Sequence, residues 1–350
     1  MNLFFKLLKS VFNIQKFNST NALYHRQAKA LLAEFNVDYS LSGDDNLPHN
    51  VLLKMQWYMA EFIYSAEMLN DLLGQKSTDK EQRTYLLSGA VVAICDLIID
   101  DLNLTSQEIE NLKRPSKDKI YERDIFKLYQ SLYHAFFDNL GAKKSLTLHY
   151  YELLYDAQIR SKKQFDSSIS KSEVDEICIE KGGYSLLYIR ALLNEEFYPD
   201  EEKTWFEIGG YIQFCNDAQD LHKDLLNKLR TFGSCRSSLE EIAIDLDQQK
   251  VVAFSLLKSS PYQKQAKDFL LFTLHSMGIG ILAKLHQYHL LCNKQYSSST
   301  LASKTKSEVR PMLRPIKLIP YWFPRILKYQ YQKVNQPFNF KFNLQNAKSN

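Results

Sequence analysis

Two short runs of acids carry the most chemistry in this chain. Asp96, Asp100 and Asp101 close the segment SGAVVAICDLIIDDL (88–102), and Asp96 and Asp100 lie four apart, so a helix puts them on one face. Asn216, Asp220 and Asp224 recur every four residues within WFEIGGYIQFCNDAQDLHKDLLNKL (205–229) and share a face in the same way. Carboxylate and amide oxygens at that spacing are hard ligands suited to magnesium, which keeps waters and phosphate oxygens in its shell. Two such rows with cations between them would clamp a diphosphate. Two solvated acid patches are the alternative.

The residues around each row argue against plain exposure. No charged residue occurs from Thr84 through Cys95, and that stretch is apolar all round, as in a centrally buried helix. In the second segment Phe214, Ala218, Leu221 and Leu225 form a core seam at helical spacing. One and two turns before Asn216, the opposite face carries Ile212 and Ile208, with Gly209 and Trp205 beside them. Both acid rows sit in the C-terminal halves of their helices, where the helix dipole disfavours negative charge. Desolvating an unpaired carboxylate costs several kcal/mol, and neither row has matching Lys or Arg on its own face. Bound divalent cations would answer both problems. Lys181, Arg190, Lys223, Arg230 and Arg160 are candidate contacts for phosphate oxygens, with a solvated surface position the alternative for each.

Helices must position these groups. Only 11 Gly and 9 Pro occur in 350 residues, which favours long helices over a many-stranded sheet. Candidate helices span 22–36, 49–74, 80–104, 118–140, 144–166, 171–196, 203–230, 237–257 and 261–293. No segment alternates with period two, so the fold class is all-α: a single large helical bundle or barrel. No run of eighteen apolar residues predicts a spanning helix. Five scattered cysteines without CxxC spacing argue against a zinc site or disulfide framework and fit a reducing, cytoplasmic compartment.

Three stretches divide the chain. Residues 1–20 form an N-terminal amphipathic segment, apolar with interspersed lysines, without a signal peptide's cleavage site. Residues 21–295 are the helical domain. Residues 296–350 are a basic, aromatic, Pro-containing tail, in which SSSTLASKTKSEVRP reads as a flexible loop. From Lys294 onward the chain carries about +10 and the remainder about −6. The tail and Met1–Phe17 could reach an anionic membrane, giving peripheral attachment; packing on the body is the plainer reading, and no nucleic-acid partner is expected.

At this point the residues resemble a known family. Asp96-Leu-Ile-Ile-Asp100-Asp101 resembles the first aspartate-rich motif of class I isoprenoid synthases. Gln213, Asn216, Asp220 and Asp224 keep the spacing of the second motif of squalene and phytoene synthases, and the last three also resemble the bacterial terpene-synthase triad. Lys181-Gly182-Gly183-Tyr184-Ser185 resembles the helix break facing the pocket in these enzymes. The likeness covers about residues 50 to 240.

That resemblance implies an isoprenoid-synthase barrel around an apolar cavity, with both motifs at its mouth. Asp96, Asp100, Asn216, Asp220 and Asp224 would be catalytic, and with Asp101 would hold magnesium, roughly three ions per site. A prenyl diphosphate would be ionised with loss of pyrophosphate. Val92, Ala93, Tyr58, Phe62, Gly182, Gly183, Tyr184, Tyr188, Tyr211 and Gln213 would line the cavity, aromatic walls guiding the cation. The small Val92 and Ala93, one turn before Asp96, would admit chains of roughly fifteen carbons or longer.

The favoured reaction is that of a terpene synthase, a carbon–oxygen lyase giving a hydrocarbon or alcohol. No Gly-Gly-Lys and Arg signature marks a second diphosphate site, and Leu225–Phe232 departs from the head-to-head condensing pattern. A squalene/phytoene-type condensing enzyme and an elongating prenyl diphosphate synthase are the alternatives. Outside enzymes, the alternative is an inactive helical lipid-binding protein. A homodimer is compatible with all of these.

Overall fold

The computed structural model describes residues 22–35, 49–102, 104–193 and 196–309. All regular structure among them is helical, and none is strand. The N-terminal amphipathic segment and the tail beyond 309 lie outside the described residues. Contacts divide the chain into two compact units, the first within Met1–Ile159 and Tyr188–Glu196, the second within Arg160–Leu187 and Phe197–Asn350.

In the first unit, α1 (22–34) and α2 (His49–Leu73) precede α3 (Asp79–Asp101). A capping box starts α3: Thr78 accepts from Glu81 N, and the Glu81 carboxylate accepts from Thr78 N at 2.9 Å. From Thr84 to Ile99 every residue but Val92 is buried, as the uncharged run predicts. Helices α2 and α3 pack together, and Gly89 lets them approach: a β-carbon there would lie 2.7 Å from Met59 Cα. A short helix α4 (Ser106–Lys113), absent from the sequence expectation, starts at a second capping box, Thr105 with Glu108. Helix α5 (Asp124–Phe137) packs on α3, and α6 (Lys144–Ser161) follows. Buried aromatic rings fill this core; Tyr188 sits within about 6 Å of the Phe62, Phe136 and Tyr151 ring centres.

Helix α7 (Lys171–Ala191) runs unbroken through Gly182 and Gly183, so the expected helix break is corrected. In the second unit it is followed by α8 (Glu201–Gln219), and the glycines serve their crossing. A β-carbon on Gly182 would overlap the Gly209 carbonyl and lie 2.7 Å from Gln213 Cβ. The continuous helix expected over 203–230 instead turns at Asp220 (φ −86°, ψ 3°) and continues as α9 (Leu221–Leu226). Helices α10 (Leu239–Ser259) and α11 (Lys264–Leu291) pack on α8 and on each other.

The expected loop after Tyr296 folds into α12 (Ser298–Ala302) and α13 (Lys306–Val309). Its Ser and Thr act as caps rather than linker: Ser297 accepts from Thr300 N at 3.0 Å, and Thr305 and Glu308 cap each other. Leu301, wholly buried, and Val309 supply the apolar anchors.

The link between α9 and α10 is latched by Arg236. Its guanidinium donates to both oxygens of Asp175 at 2.6 and 2.9 Å and to Asp245 at 3.1 Å, and it covers the Phe232 ring at 4.1 Å. Phe232 stacks in turn on Phe214, centres 3.9 Å apart. Arg236 is 3% exposed, so lysine cannot replace the planar fork. Arg236→Lys is expected to cost about 2 kcal/mol in urea denaturation; an unchanged midpoint and slope would count against this latch.

Candidate functional site

In the first unit, Asp96 and Asp100 stand at the end of a helix buried from Thr84 onward but for Val92. Asp96 is 8% exposed, and its Oδ2 pairs with Lys54 Nζ at 2.7 Å and accepts from Tyr58 OH at 3.2 Å. Asp100 is exposed and its Oδ1 accepts from Gln158 Nε2 at 2.9 Å. Lys54, Tyr58 and Glu61 share one face of α2 at i, i+4 and i+7. Burial, then the negative charge of Asp96, pushes the Tyr58 phenol well above its usual range.

Asp96 thus has a basic partner in Lys54, although its own helix face carries no Lys or Arg. The partner comes from another helix, which a search along α3 cannot find. Its local signal is the i, i+4, i+7 spacing of Lys54, Tyr58 and Glu61 along α2.

The remaining first-unit candidates are distributed as follows. Val92 is half-buried and Ala93 buried one turn before Asp96. Phe62 and Tyr188 belong to the aromatic core. Arg190 is 1% exposed and its Nη2 donates to Glu196 O at 3.0 Å, which turns it to the interior of its own unit. Asp101 closes α3, and its side chain lies outside the described residues.

In the second unit, Asn216 and Asp220 are exposed, whereas Asp224 is buried. The backbone bonds Asp220 N→Asn216 O and Asp224 N→Asp220 O, both 2.9 Å, keep the four-residue step across the turn. Asp220 pairs with exposed Lys223 at 3.3 Å. Asp224 Oδ2 accepts from Thr231 Oγ1 at 2.8 Å, and burial pushes its carboxyl up to about 7 against that bond.

Asp217 is the buried acid that reasoning from the row missed. It accepts from Cys178 Sγ at 2.9 Å, Gln213 Nε2 at 2.7 Å and Phe232 N at 3.2 Å, and burial raises its pKa. It lies three residues after Phe214 and four before Leu221, on the apolar seam itself, and that placement is the signal that could have found it.

Tyr184 is half-buried, its ring edge-on to Phe206 at 5.2 Å; Tyr211 is buried with its hydroxyl on Leu274 O at 3.2 Å. Arg160 is held by Glu180 and Glu176 at 2.6 and 2.9 Å. Lys181 is half-buried in the same helix as the glycine pair. Arg230 is half-buried, and its Nε is buried without a hydrogen-bond partner among the described residues.

Among the described residues, no three His, Cys, Asp or Glu side chains gather at metal-holding distance. The donor chemistry still fits magnesium taken unit by unit. That ion commonly binds through one or two carboxylates and completes its shell with water and substrate phosphate. Asp96 with Asp100, and Asn216 with Asp220, are such pairs of hard oxygen donors. The Lys54 ammonium already compensates Asp96, so a metal there would compete with that ion pair. No protein-family model matches the chain, and no curated protein or solved structure is similar enough to count as a match.

Proposed function

We propose that the chain is a magnesium-dependent enzyme of the class I isoprenoid synthase type, acting as a terpene synthase on a prenyl diphosphate. The observation that carries the reading is the Asp96–Asp100 pair, one turn apart at the C-terminal end of a helix buried from Thr84 to Ile99 but for Val92, where carboxylates are least favoured without cations. The exposed Asn216–Asp220 pair is a second set of hard donors. Magnesium, when bound, would supply the Lewis acid that stabilises a leaving pyrophosphate.

The chain's own groups divide the remaining work. Asp96, Asp100, Asn216 and Asp220 hold cations through their oxygens. Lys54 and Arg230 offer cationic donors to phosphate oxygens. Ring faces such as those of Tyr58 and Phe62 stabilise positive charge on carbon and exclude water. A squalene/phytoene-type condensation or chain elongation uses the same ionisation with a second prenyl substrate.

The Lys54–Asp96 ion pair favours one second reading. A lysine that neutralises the first aspartate removes part of the need for metal, as in a lipid-binding protein without chemistry. Pyrophosphate release from geranyl, farnesyl and geranylgeranyl diphosphates separates the two, each tested with magnesium and alone or with isopentenyl diphosphate. The enzyme reading expects magnesium-dependent release that falls at least ~10-fold in Asp96→Ala and in Asn216→Ala. A product of unchanged carbon number marks the lyase, and a longer one marks the transferase alternatives. Folded protein that turns over none of these would leave the lipid-binding reading.

A further inference from the structure

Tyr288 of α11 is 1% exposed, and its hydroxyl reaches the junction of α8 and α9. It donates at 3.2 Å to Gln219 O, at the end of α8, and the His222 N–H of α9 meets the same hydroxyl oxygen. In an unbroken helix Gln219 O would accept from Lys223 N, and His222 N would donate to Ala218 O. The hydroxyl takes up one acceptor and one donor of that ladder, and a side chain wedged into a ladder is a known cause of a break. The wedge accounts for the turn at Asp220, which the even spacing of Asn216, Asp220 and Asp224 does not foretell.

The wedge is clasped on both sides by α12 and α13. Lys284 Nζ and Gln287 Nε2, just before Tyr288 on α11, donate to Val309 O at 2.7 and 3.3 Å. The Lys284 ammonium also lies 5.0 Å from the Tyr288 ring centre. Across the break, His222 is 5% exposed and its Nε2 donates to Lys304 O at 2.8 Å. The helix that supplies the hydroxyl and the first turn of α9 are thereby tied to the same short segment.

Ending α8 at Gln219 has an electrostatic consequence. The last turn of a helix carries partial negative charge, and Asn216 and Asp220 stand within it and just after it, both exposed. Were α8 and α9 one helix, that negative end would move on past Leu226, away from the pair. The contact of Asp220 with exposed Lys223 at 3.3 Å is a surface ion pair, worth little against a divalent ion. We infer that Tyr288 is a positioning residue for a divalent cation at Asn216 and Asp220. Its hydroxyl ends α8 beside them, fixes the two side chains relative to each other, and keeps the negative helix end at the pair. The role rests on the cation reading of that pair and adds the group that shapes it.

The test is Mn2+ binding to the full-length protein, followed by electron paramagnetic resonance of the free ion and competed with magnesium. Wild type should bind with an affinity that Asn216→Ala lowers. Tyr288→Phe removes only the hydroxyl and should weaken that binding at least ~10-fold, as losing a group that orients metal ligands commonly does. Tyr262→Phe controls for stability alone: it takes a buried hydroxyl from Glu201 in the same unit, and should leave the affinity unchanged. In wild type, magnesium should also slow hydrogen exchange at the His222 amide, because coupling between wedge and site runs both ways. If wild type binds no Mn2+, or Asn216→Ala binds it as tightly, the cation reading of the pair falls and the role of Tyr288 with it. If wild type binds through Asn216 but Tyr288→Phe binds as tightly, or Tyr262→Phe loses as much, the role of Tyr288 alone falls. Exchange at His222 indifferent to magnesium in a wild type that binds the ion would overturn that role too.

Discussion

Gly209→Ala should destabilise the second unit by about 3 kcal/mol or more, while Gly280→Ala should stabilise it by about 0.5–1 kcal/mol. The two changes add the same methyl to two helical glycines, and only the surroundings differ. A β-carbon on Gly209 would overlap the Gly182 carbonyl and lie 2.8 Å from Gly183 Cα. Those obstacles are backbone, which cannot rotate aside as a side chain does, so α7 and α8 must move apart. The move opens gaps along a seam that includes Gln213 and, through it, the hydrogen bonds of Asp217. At Gly280 a β-carbon meets nothing within 4 Å, and alanine adds helix propensity. Urea denaturation of both variants decides the matter. Gly182→Ala should match Gly209→Ala, and the double variant should cost less than their sum, because the first methyl has already parted the helices. If Gly209→Ala melts like the wild type, the close crossing is wrong.

How far the fold could be read ahead depended on whether its cause was local. The burial of α3 was legible because a long uncharged run leaves a helix no polar face to turn to water. The burial of α8 from Thr204 through Cys215, where no residue is exposed, was legible because Ile208 and Ile212, with Gly209 and Trp205 beside them, leave the face opposite the seam apolar as well. The glycine pair in α7 was misread because weak helix propensity and a tight helix crossing leave the same mark in a sequence. Only the partner, Gly209, tells them apart. The Ser-rich stretch after Tyr296 was misread as a loop for a related reason: caps and linkers draw on the same residues, and α12 and α13 are too short to show periodicity.

The candidate site was legible only in part. The four-residue spacing singled out Asp96, Asp100, Asn216 and Asp220. It could not show that Lys54 reaches Asp96 from α2, nor that Asp224 turns inward to Thr231. Both depend on packing between residues far apart along the chain or across a turn. Spacing says which groups share a helix face, whereas burial and pairing decide which of them remain available to a ligand.

Acidification supplies the second large effect. His275 on α11 lies near the buried pair Asp247 and Lys250 of α10, with Lys258 of the same helix adding further positive charge. Lys250 is 2% exposed and pairs with Asp247. Burial first, and the Lys250 ammonium second, depress the His275 pKa from 6.5 to about 4, against the opposing pull of Asp247. The folded chain therefore holds the ring neutral where the unfolded chain would protonate it. Stability from this site is complete above pH 6.5 and drains as the pH falls toward 4, below which both states are protonated and the slope ends. At 1.36 kcal/mol per pH unit the loss is about 3 kcal/mol. Other groups also titrate in acid, so the difference between wild type and His275→Gln isolates the term. Urea denaturation at several pH values between 7 and 4 should show the variant losing about 3 kcal/mol less than the wild type over that range. Parallel curves would mean that folding does not shift the His275 pKa and that the Lys250 charge lies farther from the ring.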